Sequence, residues 1–284
     1  HCKSIARMTF QLLLEAQSPR FNVPTQPSTA GDYARFVASS SESSADSSPN
    51  DGGIVAALEI LANPERQHHE KAYLKSPLIH LGVAVPEVRR ICRSWARQQE
   101  LDHDALMEQV ENWWANPIYE VRLCAVELLS YRADLLGPTD LGTLRDMIAG
   151  TFTWALVDPL AIYVTSSILN TMTEEQIDSA LDQWAVDRSF WVRRASLLSQ
   201  LQALRPTGGD PTRFFRYADQ MLSESEFFIQ KAIGWVLRDM SKKRPDLVFD
   251  WLLPRAPSCS SVTIREATKY LSGTQRQTIA TLRG

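Results

Sequence analysis

The sequence has 284 residues, 44% of them hydrophobic, and a formal net charge of −3. No run approaches the roughly 18 apolar residues of a transmembrane helix, and the four cysteines form no C-x-x-C pair. These features argue against a membrane protein, a disulfide framework and a zinc ribbon, and they favour an intracellular location in cytoplasm, nucleoid or nucleus.

The charge is segregated along the chain. Residues 51–185 hold 10 Lys+Arg and 20 Asp+Glu, whereas residues 186–284 hold 16 Lys+Arg and 9 Asp+Glu. A basic third within an acidic chain is typical of a protein with a polyanion-binding face. Two halves that complement each other's charge would give the same pattern.

The first 50 residues do not resemble a folded domain. The segment ASSSESSADSSPNDGG, residues 38–53, is rich in serine and has no apolar period, which is typical of a disordered linker. We therefore predict a disordered N-terminal tail over residues 1–50 and a helical domain over residues 51–284.

An internal repeat runs through the helical part. Small residues recur at spacings of 33, 36, 34, 37 and 35, namely Cys92, Ala125, Ala161, Ala195, Ala232 and Ala267. A period near 35, with a small residue between larger apolar ones, indicates stacked helical hairpins whose helices approach closely. The pattern predicts an all-α, HEAT-like α-solenoid of about six repeats with a concave surface.

Common catalytic signatures are missing from the sequence. It contains no G-x-G-x-x-G, G-x-x-x-x-G-K-[ST], G-x-S-x-G or H-E-x-x-H motif, and no pair of histidines has metal-ligand spacing. A nucleotide hydrolase, a serine hydrolase or a metalloenzyme is poorly supported, and we predict no metal site.

The segment TFTWALVDPLAIYV, residues 151–164, places Trp154 four residues before Asp158. Asp158 is the single acidic residue between Asp146 and Glu174. It also precedes Pro159, and Asp before Pro is a common helix start in which the carboxylate caps free N–H groups. A capping role and a functional role for Asp158 are both open.

The segment DRSFWVRRASLLSQL, residues 187–201, carries Arg193 and Arg194 inside an apolar helix. Arg194 shares its repeat position with Lys231 of the next repeat, so the two cations are expected side by side on one surface. Such a row suits successive phosphates. A solvated pair of charges is the alternative.

The segment EFFIQKAIGWVLRDMSKKRP, residues 226–245, predicts a helix with two distinct faces. At 100° per residue the apolar stripe consists of Ile229, Ile233, Val236 and Met240. The opposite side carries Lys231, Trp235, Arg238 and Lys242, flanked by Phe227 and Phe228. Aromatic rings among cations are typical of nucleic-acid contacts. Packing of Phe228 and Trp235 on a neighbouring helix is the alternative, since both hold apolar repeat positions.

Taken in order, these segments resemble the AlkD-type DNA alkylation-repair glycosylases. The most specific piece is EFFIQKAIGWVLRD, which looks like that family's signature almost residue for residue. FWVRRASLLSQL, WALVD, LGVAVPEVRRI (residues 81–91) and IREATKYL (residues 264–271) are similar to other family segments. The resemblance spans roughly residues 51–272.

The resemblance implies a solenoid that holds double-stranded DNA in a basic concave cleft. It implies hydrolytic removal of cationic N3- or N7-alkylated purines, with Asp158 as the catalytic residue and Trp154 and Trp235 facing the sugar. Arg194 falls on the family's phosphate-binding position. No metal or redox cofactor is implied, and we expect a monomer.

Two residues depart from the family pattern. Thr153 stands where a second aromatic residue is expected, and Pro159 biases Asp158 away from helical geometry. The shared face of Trp154 and Asp158 is therefore open at this point. Two other functions are also open, namely a non-catalytic solenoid that binds DNA structure or a protein partner, and a purely protein-binding HEAT module.

Overall fold

The computed structural model describes residues 53–283, so the predicted tail over residues 1–50 lies outside the described residues. Within residues 53–283 the regular secondary structure consists of helices joined by loops, and the chain forms no strand. It divides into two compact units, the first ending at Leu160 and the second beginning at Ala161. None of the helices in these residues is both long and apolar enough to cross a bilayer.

The α-helices of the first unit are α1 Ile54–Glu59, α2 Pro64–Leu74, α3 Val85–Ala96, α4 His103–Ala115, α5 Tyr119–Tyr131, α6 Leu141–Ala149 and α7 Trp154–Pro159. A π-helical stretch, Leu160–Thr165, follows α7. The α-helices of the second unit are α8 Ser166–Leu169, α9 Glu174–Ala185, α10 Phe190–Leu198, α11 Leu201–Leu204, α12 Thr212–Met221, α13 Phe227–Ser241, α14 Pro245–Leu252, α15 Ser261–Ala267 and α16 Gly273–Thr281.

Many of these helices begin at a polar capping residue or a proline. Asn63 accepts a hydrogen bond from the Arg66 N–H at 3.0 Å, and Pro64 then opens α2. Pro245 opens α14 in the same way. Proline is tolerated at these positions because the first N–H groups of a helix have no partner within it.

The predicted repeat is confirmed by burial and packing. All six small residues of the repeat are completely buried. In the first unit α4 packs against α5, and the second helices of successive repeats, α3, α5 and α7, pack in sequence. In the second unit α9 packs against α10, and α10, α13 and α15 follow in the same way. Each unit thus consists of stacked helical hairpins, and the all-α, HEAT-like fold is confirmed.

Helices α13 and α15 of the second unit approach each other closely at Gly234. A Cβ atom there would lie 2.8 Å from the Glu266 Cβ and 3.1 Å from the Thr263 carbonyl oxygen. The neighbouring chain in α15 would have to move to admit a side chain. Gly234 therefore sets how closely α13 packs on α15.

We expect Gly234→Val to lower the free energy of unfolding by about 1–3 kcal/mol, because overpacking a tight interface strains both helices. Urea denaturation measures the change. Gly142→Ala is the control, since a Cβ on Gly142 would meet nothing within 4 Å. Equal stability of Gly234→Val and the wild type would contradict the close packing.

A buried carboxylate fixes the start of α3. Glu120 of α5 has no exposed surface, and its Oε1 accepts hydrogen bonds from the N–H groups of Leu81, Gly82 and Val83 at 3.0, 2.7 and 3.2 Å. Gly82 has a φ of 76°, a conformation that glycine adopts without strain. The LGVAVPEVRRI segment thus begins as a tight loop folded around one carboxylate.

Candidate functional site

Helix α7 carries the predicted catalytic pair. Trp154 and Asp158 are its first and fifth residues, so both side chains lie on one face of the helix. Asp158 is 7% exposed, and Trp154 is half-buried. Pro159 therefore does not separate the two residues, and Trp154 and Asp158 share one face of α7 within the first unit.

The capping role for Asp158 is wrong. The N-cap of α7 is Thr153, whose Oγ1 accepts a hydrogen bond from the Ala155 N–H at 3.4 Å. Thr153 is buried. It stands where an aromatic residue was expected, and its side chain caps the helix. Asp158 lies instead in the interior of a helix, where a short polar side chain has no local structural advantage.

Pro159 ends α7 without breaking the helical path. The following residues, Leu160–Thr165, form π-helical turns. Proline removes one N–H and its ring crowds the preceding turn, and the wider π turn accommodates both effects. π-Helical insertions of this kind occur frequently at functional sites.

Tyr73 contacts the candidate site residue Trp154, and the sequence did not reveal this contact. Its ring meets Trp154 edge to face, with centroids 5.8 Å apart and an interplanar angle of 87°. Tyr73 lies on α2 and is 72% exposed, so the aromatic pair has an open side. The two residues are 81 positions apart, and no local spacing links them.

The two arginines of α10 are held by protein groups. Arg193 pairs with Glu224 at 2.7 Å and donates to the Asp187 carbonyl oxygen at 2.7 Å. Arg194 is 3% exposed and donates to the Phe228 carbonyl oxygen at 2.6 Å. The expectation that Arg194 lies on an open surface beside Lys231 is therefore wrong, because its guanidinium is packed beneath α13.

Helix α13 buries the face that the sequence indicated. Ile229, Ile233, Val236 and Met240 are all buried, whereas Trp235 is half-buried.

The two phenylalanines of α13 differ in their surroundings. Phe228 packs on α10, with its ring centroid 4.8 Å from Trp191 and 6.2 Å from Phe190, so it follows the packing alternative. Phe227 is 51% exposed and is available to a partner.

The cations of α13 are paired with carboxylates. Lys231 and Arg238 both form ion pairs with Glu266 of α15, and Lys242 pairs with Asp239 at 2.5 Å. The positive charge of this surface is therefore smaller than a count of its cations suggests. Glu266 holds the same repeat position as Arg194 and Lys231, immediately before the small residue of its repeat. Aligning the repeats could therefore have identified Glu266 as a neighbour of these cations.

Comparison with known proteins gives one family and several structures. A family model described as DNA alkylation repair enzyme matches residues 54–271. The chain belongs to the DNA alkylation repair enzyme family. A search of curated proteins finds no significant match.

Solved structures share the fold of this family member. A protein described as a predicted DNA alkylation repair enzyme from Enterococcus faecalis has a TM-score of 0.65 at 22% identity, with 75% of this chain and 97% of that chain covered. AlkD2 from Streptococcus mutans has a TM-score of 0.54 at 20% identity, with 67% and 91% covered. The predicted membership of the DNA alkylation repair family is confirmed by the family model, these structures share the fold, and DNA is the partner that the family implies.

The ion pairs on α13 predict how the stability of this DNA alkylation repair family member depends on pH. Burial raises the pKa of Glu266, but the hydrogen bond from Lys231 and the charge of Arg238 outweigh it, so the pKa lies below its ordinary value of 4.5. A carboxylate with a lowered pKa contributes stability that is fully present above the unfolded-state pKa. That contribution is lost as the pH falls through the folded-state pKa.

We expect the free energy of unfolding of Glu266→Gln to decrease less than that of the wild type as the pH falls below 4.5. Urea denaturation of both proteins across the acid range measures the difference. Lys231→Gln is the companion variant, because it removes the principal hydrogen bond from the same carboxylate. Parallel pH profiles for wild type and Glu266→Gln would contradict the ion-pair assignment.

Proposed function

We propose that this chain removes positively charged N3- and N7-alkylated purines from double-stranded DNA by hydrolysing the N-glycosidic bond, and that it acts as a monomer. The observation that carries the proposal is the placement of Asp158. It lies in a helix interior, shares a face with Trp154 and does not serve as the helix cap. A buried carboxylate beside an aromatic pair is a group suited to stabilising a cation.

The chemistry fits these residues. An alkylated purine already carries a positive charge, so the electron pair of the breaking C1′–N bond neutralises the departing base. The sugar develops oxocarbenium character, and a nearby carboxylate stabilises it and orients the attacking water. Water adds its oxygen to C1′ and releases one proton. No step needs a redox partner.

Aromatic faces supply the second element of the proposal. Indole rings attract positive charge, and Trp154, braced by Tyr73 at 5.8 Å, presents such a ring on the helix that carries Asp158. In the second unit Trp235 is half-buried on α13. We assign both tryptophans to contacts with the damaged nucleotide.

The cations of the second unit supply the DNA backbone contacts in this proposal. Lys231, Arg238 and Lys242, with the exposed Phe227 beside them, form the DNA-facing group, since phosphates can replace Glu266 and Asp239 as partners. Arg194 falls on the family's phosphate-binding position, but it is 3% exposed and donates to the Phe228 carbonyl oxygen, so a phosphate contact would require this side chain to turn outward.

Arg193 differs from the other cations. Its ion pair to Glu224 and its hydrogen bond to a carbonyl favour a structural role, although the sequence placed it among the DNA contacts.

A non-catalytic DNA-binding solenoid is the second candidate. The observation that favours it is the burial of Asp158, which is 7% exposed and could serve packing alone. Both candidates predict that DNA affinity falls steeply as salt increases. Base release separates them.

The experiment compares duplexes that carry either a cationic or a neutral lesion. Free base is measured by chromatography after incubation with DNA containing N7-methylguanine, N3-methyladenine or O6-methylguanine. Release of the two cationic bases and retention of the neutral one supports the proposal. Salt-sensitive binding with no release of any base would favour the non-catalytic candidate.

A further inference from the structure

Three ionisable side chains meet inside the first unit, and none of them lies on α7. They are Glu70 of α2, His80 in the loop that follows α2, and Glu120 of α5. One potential ligand atom from each lies within 4.8 Å of the other two. The sequence separates these residues by up to 50 positions, so no short motif indicates the cluster.

His80 is the unusual member. It is 1% exposed, and neither ring nitrogen has a hydrogen-bond partner among the described residues. Burying an imidazole N–H and a lone pair without partners costs free energy. The ring stacks on Tyr119 at a centroid distance of 4.7 Å, which fixes its plane and leaves both nitrogens unsatisfied.

The imidazole is in the form that binds metal ions. Burial, together with the nearby charge of Lys71, lowers the pKa of His80 to about 4. The ring is therefore neutral at pH 7 and keeps a lone pair. Neutral imidazole is the commonest nitrogen ligand of metals in proteins.

Both carboxylates are oriented by other groups. The Oε1 atom of Glu120 is held by three peptide N–H groups. Glu70 is held through Oε1, which pairs with Arg66 at 2.6 Å, whereas its Oε2 is buried without a hydrogen-bond partner. Outer partners that orient a ligand in this way are typical of metal centres.

We propose that Glu70, His80 and Glu120 bind a divalent transition-metal ion of the Zn²⁺ class. One imidazole nitrogen and two carboxylate oxygens form a donor set that suits such ions. Ligand atoms around a tetrahedral zinc ion lie roughly 3.4 Å apart, so small side-chain rotations bring the present atoms to the metal. The ion would satisfy His80 and the buried oxygen of Glu70 together.

The proposed role of the ion is structural. It would tie α2, the loop containing His80, and α5 to one another. Tyr73 follows Glu70 by one turn on α2 and contacts Trp154, so the ion would also fix the helix that braces this tryptophan. This inference does not depend on the glycosylase proposal.

The test uses the full chain after dialysis against a chelator. Zn²⁺ or Co²⁺ is added, the bound metal is measured by equilibrium dialysis and elemental analysis, and the melting temperature is recorded. We expect one ion per chain, a higher melting temperature and a visible Co²⁺ absorption band. His80→Phe, which keeps a stacking ring, should weaken binding at least about tenfold and abolish the thermal gain.

His69→Phe is the matched control. His69 lies on the same helix as Glu70 but is exposed and lies outside the cluster, so this variant should bind metal like the wild type. If His80→Phe does not fold, Glu70→Gln replaces it as the test variant. The proposal is overturned if neither metal binds at one ion per chain, or if His80→Phe and Glu70→Gln bind as tightly as the wild type.

Discussion

Asp158→Asn is expected to lower the rate of base release by about 10²- to 10³-fold while leaving DNA affinity unchanged. Asparagine keeps the shape of the side chain but removes the negative charge. The loss therefore falls on the transition state, where positive charge develops at the sugar, and removing one preorganised electrostatic group has an effect of about this size. Single-turnover release of N7-methylguanine from duplex DNA measures the rate.

Asp146→Asn serves as the control for Asp158→Asn. It removes a carboxylate from α6 that pairs with the adjacent Arg145 and leaves α7 untouched. Thermal melts and DNA-binding isotherms for each variant separate a loss of rate from a loss of folding. A wild-type rate in Asp158→Asn, or an equal rate loss in Asp146→Asn, would contradict the catalytic assignment.

Glu120→Ala should produce a large loss of stability, about 3 kcal/mol or more. The Glu120 carboxylate is fully buried and satisfies the peptide N–H groups of Leu81, Gly82 and Val83. Removing it leaves three buried donors without an acceptor, at about 1–3 kcal/mol each before water or local movement compensates. Urea denaturation in the presence of a chelator measures this loss without any contribution from bound metal.

Glu127→Ala is the comparison for that loss. Glu127 lies on the same helix and pairs with Arg89 at 2.8 Å near the surface, so its removal should cost about 0–1 kcal/mol. If both variants unfold at the same urea concentration, the hydrogen bonds around Glu120 do not stabilise the loop as the geometry indicates.

The sequence predicted the repeat because small residues recur wherever successive helices cross. Cys92, Ala125 and Ala195 leave room for a neighbouring backbone, and their completely buried side chains confirm the reason. The buried stripe of α13 was predictable for a similar reason, since helical period alone places Ile229 and Val236 on one face.

Contacts between residues far apart in the chain could not be predicted in this way. A helical wheel places Lys231 and Arg238 on a basic face, but it cannot show Glu266 approaching from α15. For the same reason, the sequence could not show that Tyr73 lies beside Trp154. The capping role suggested for Asp158 was also wrong. An Asp-Pro pair favours a helix start, but here the helix already begins after Thr153.

The family match establishes a DNA alkylation repair enzyme, and the reaction on the base is the central claim that needs a measurement. The most direct one is the amount of free N7-methylguanine released from duplex DNA by the wild-type chain, compared with spontaneous loss from the same DNA without protein. The proposal predicts release well above the spontaneous rate, leaving an abasic site in the strand. Release no faster than the spontaneous rate, with DNA binding intact, would contradict it.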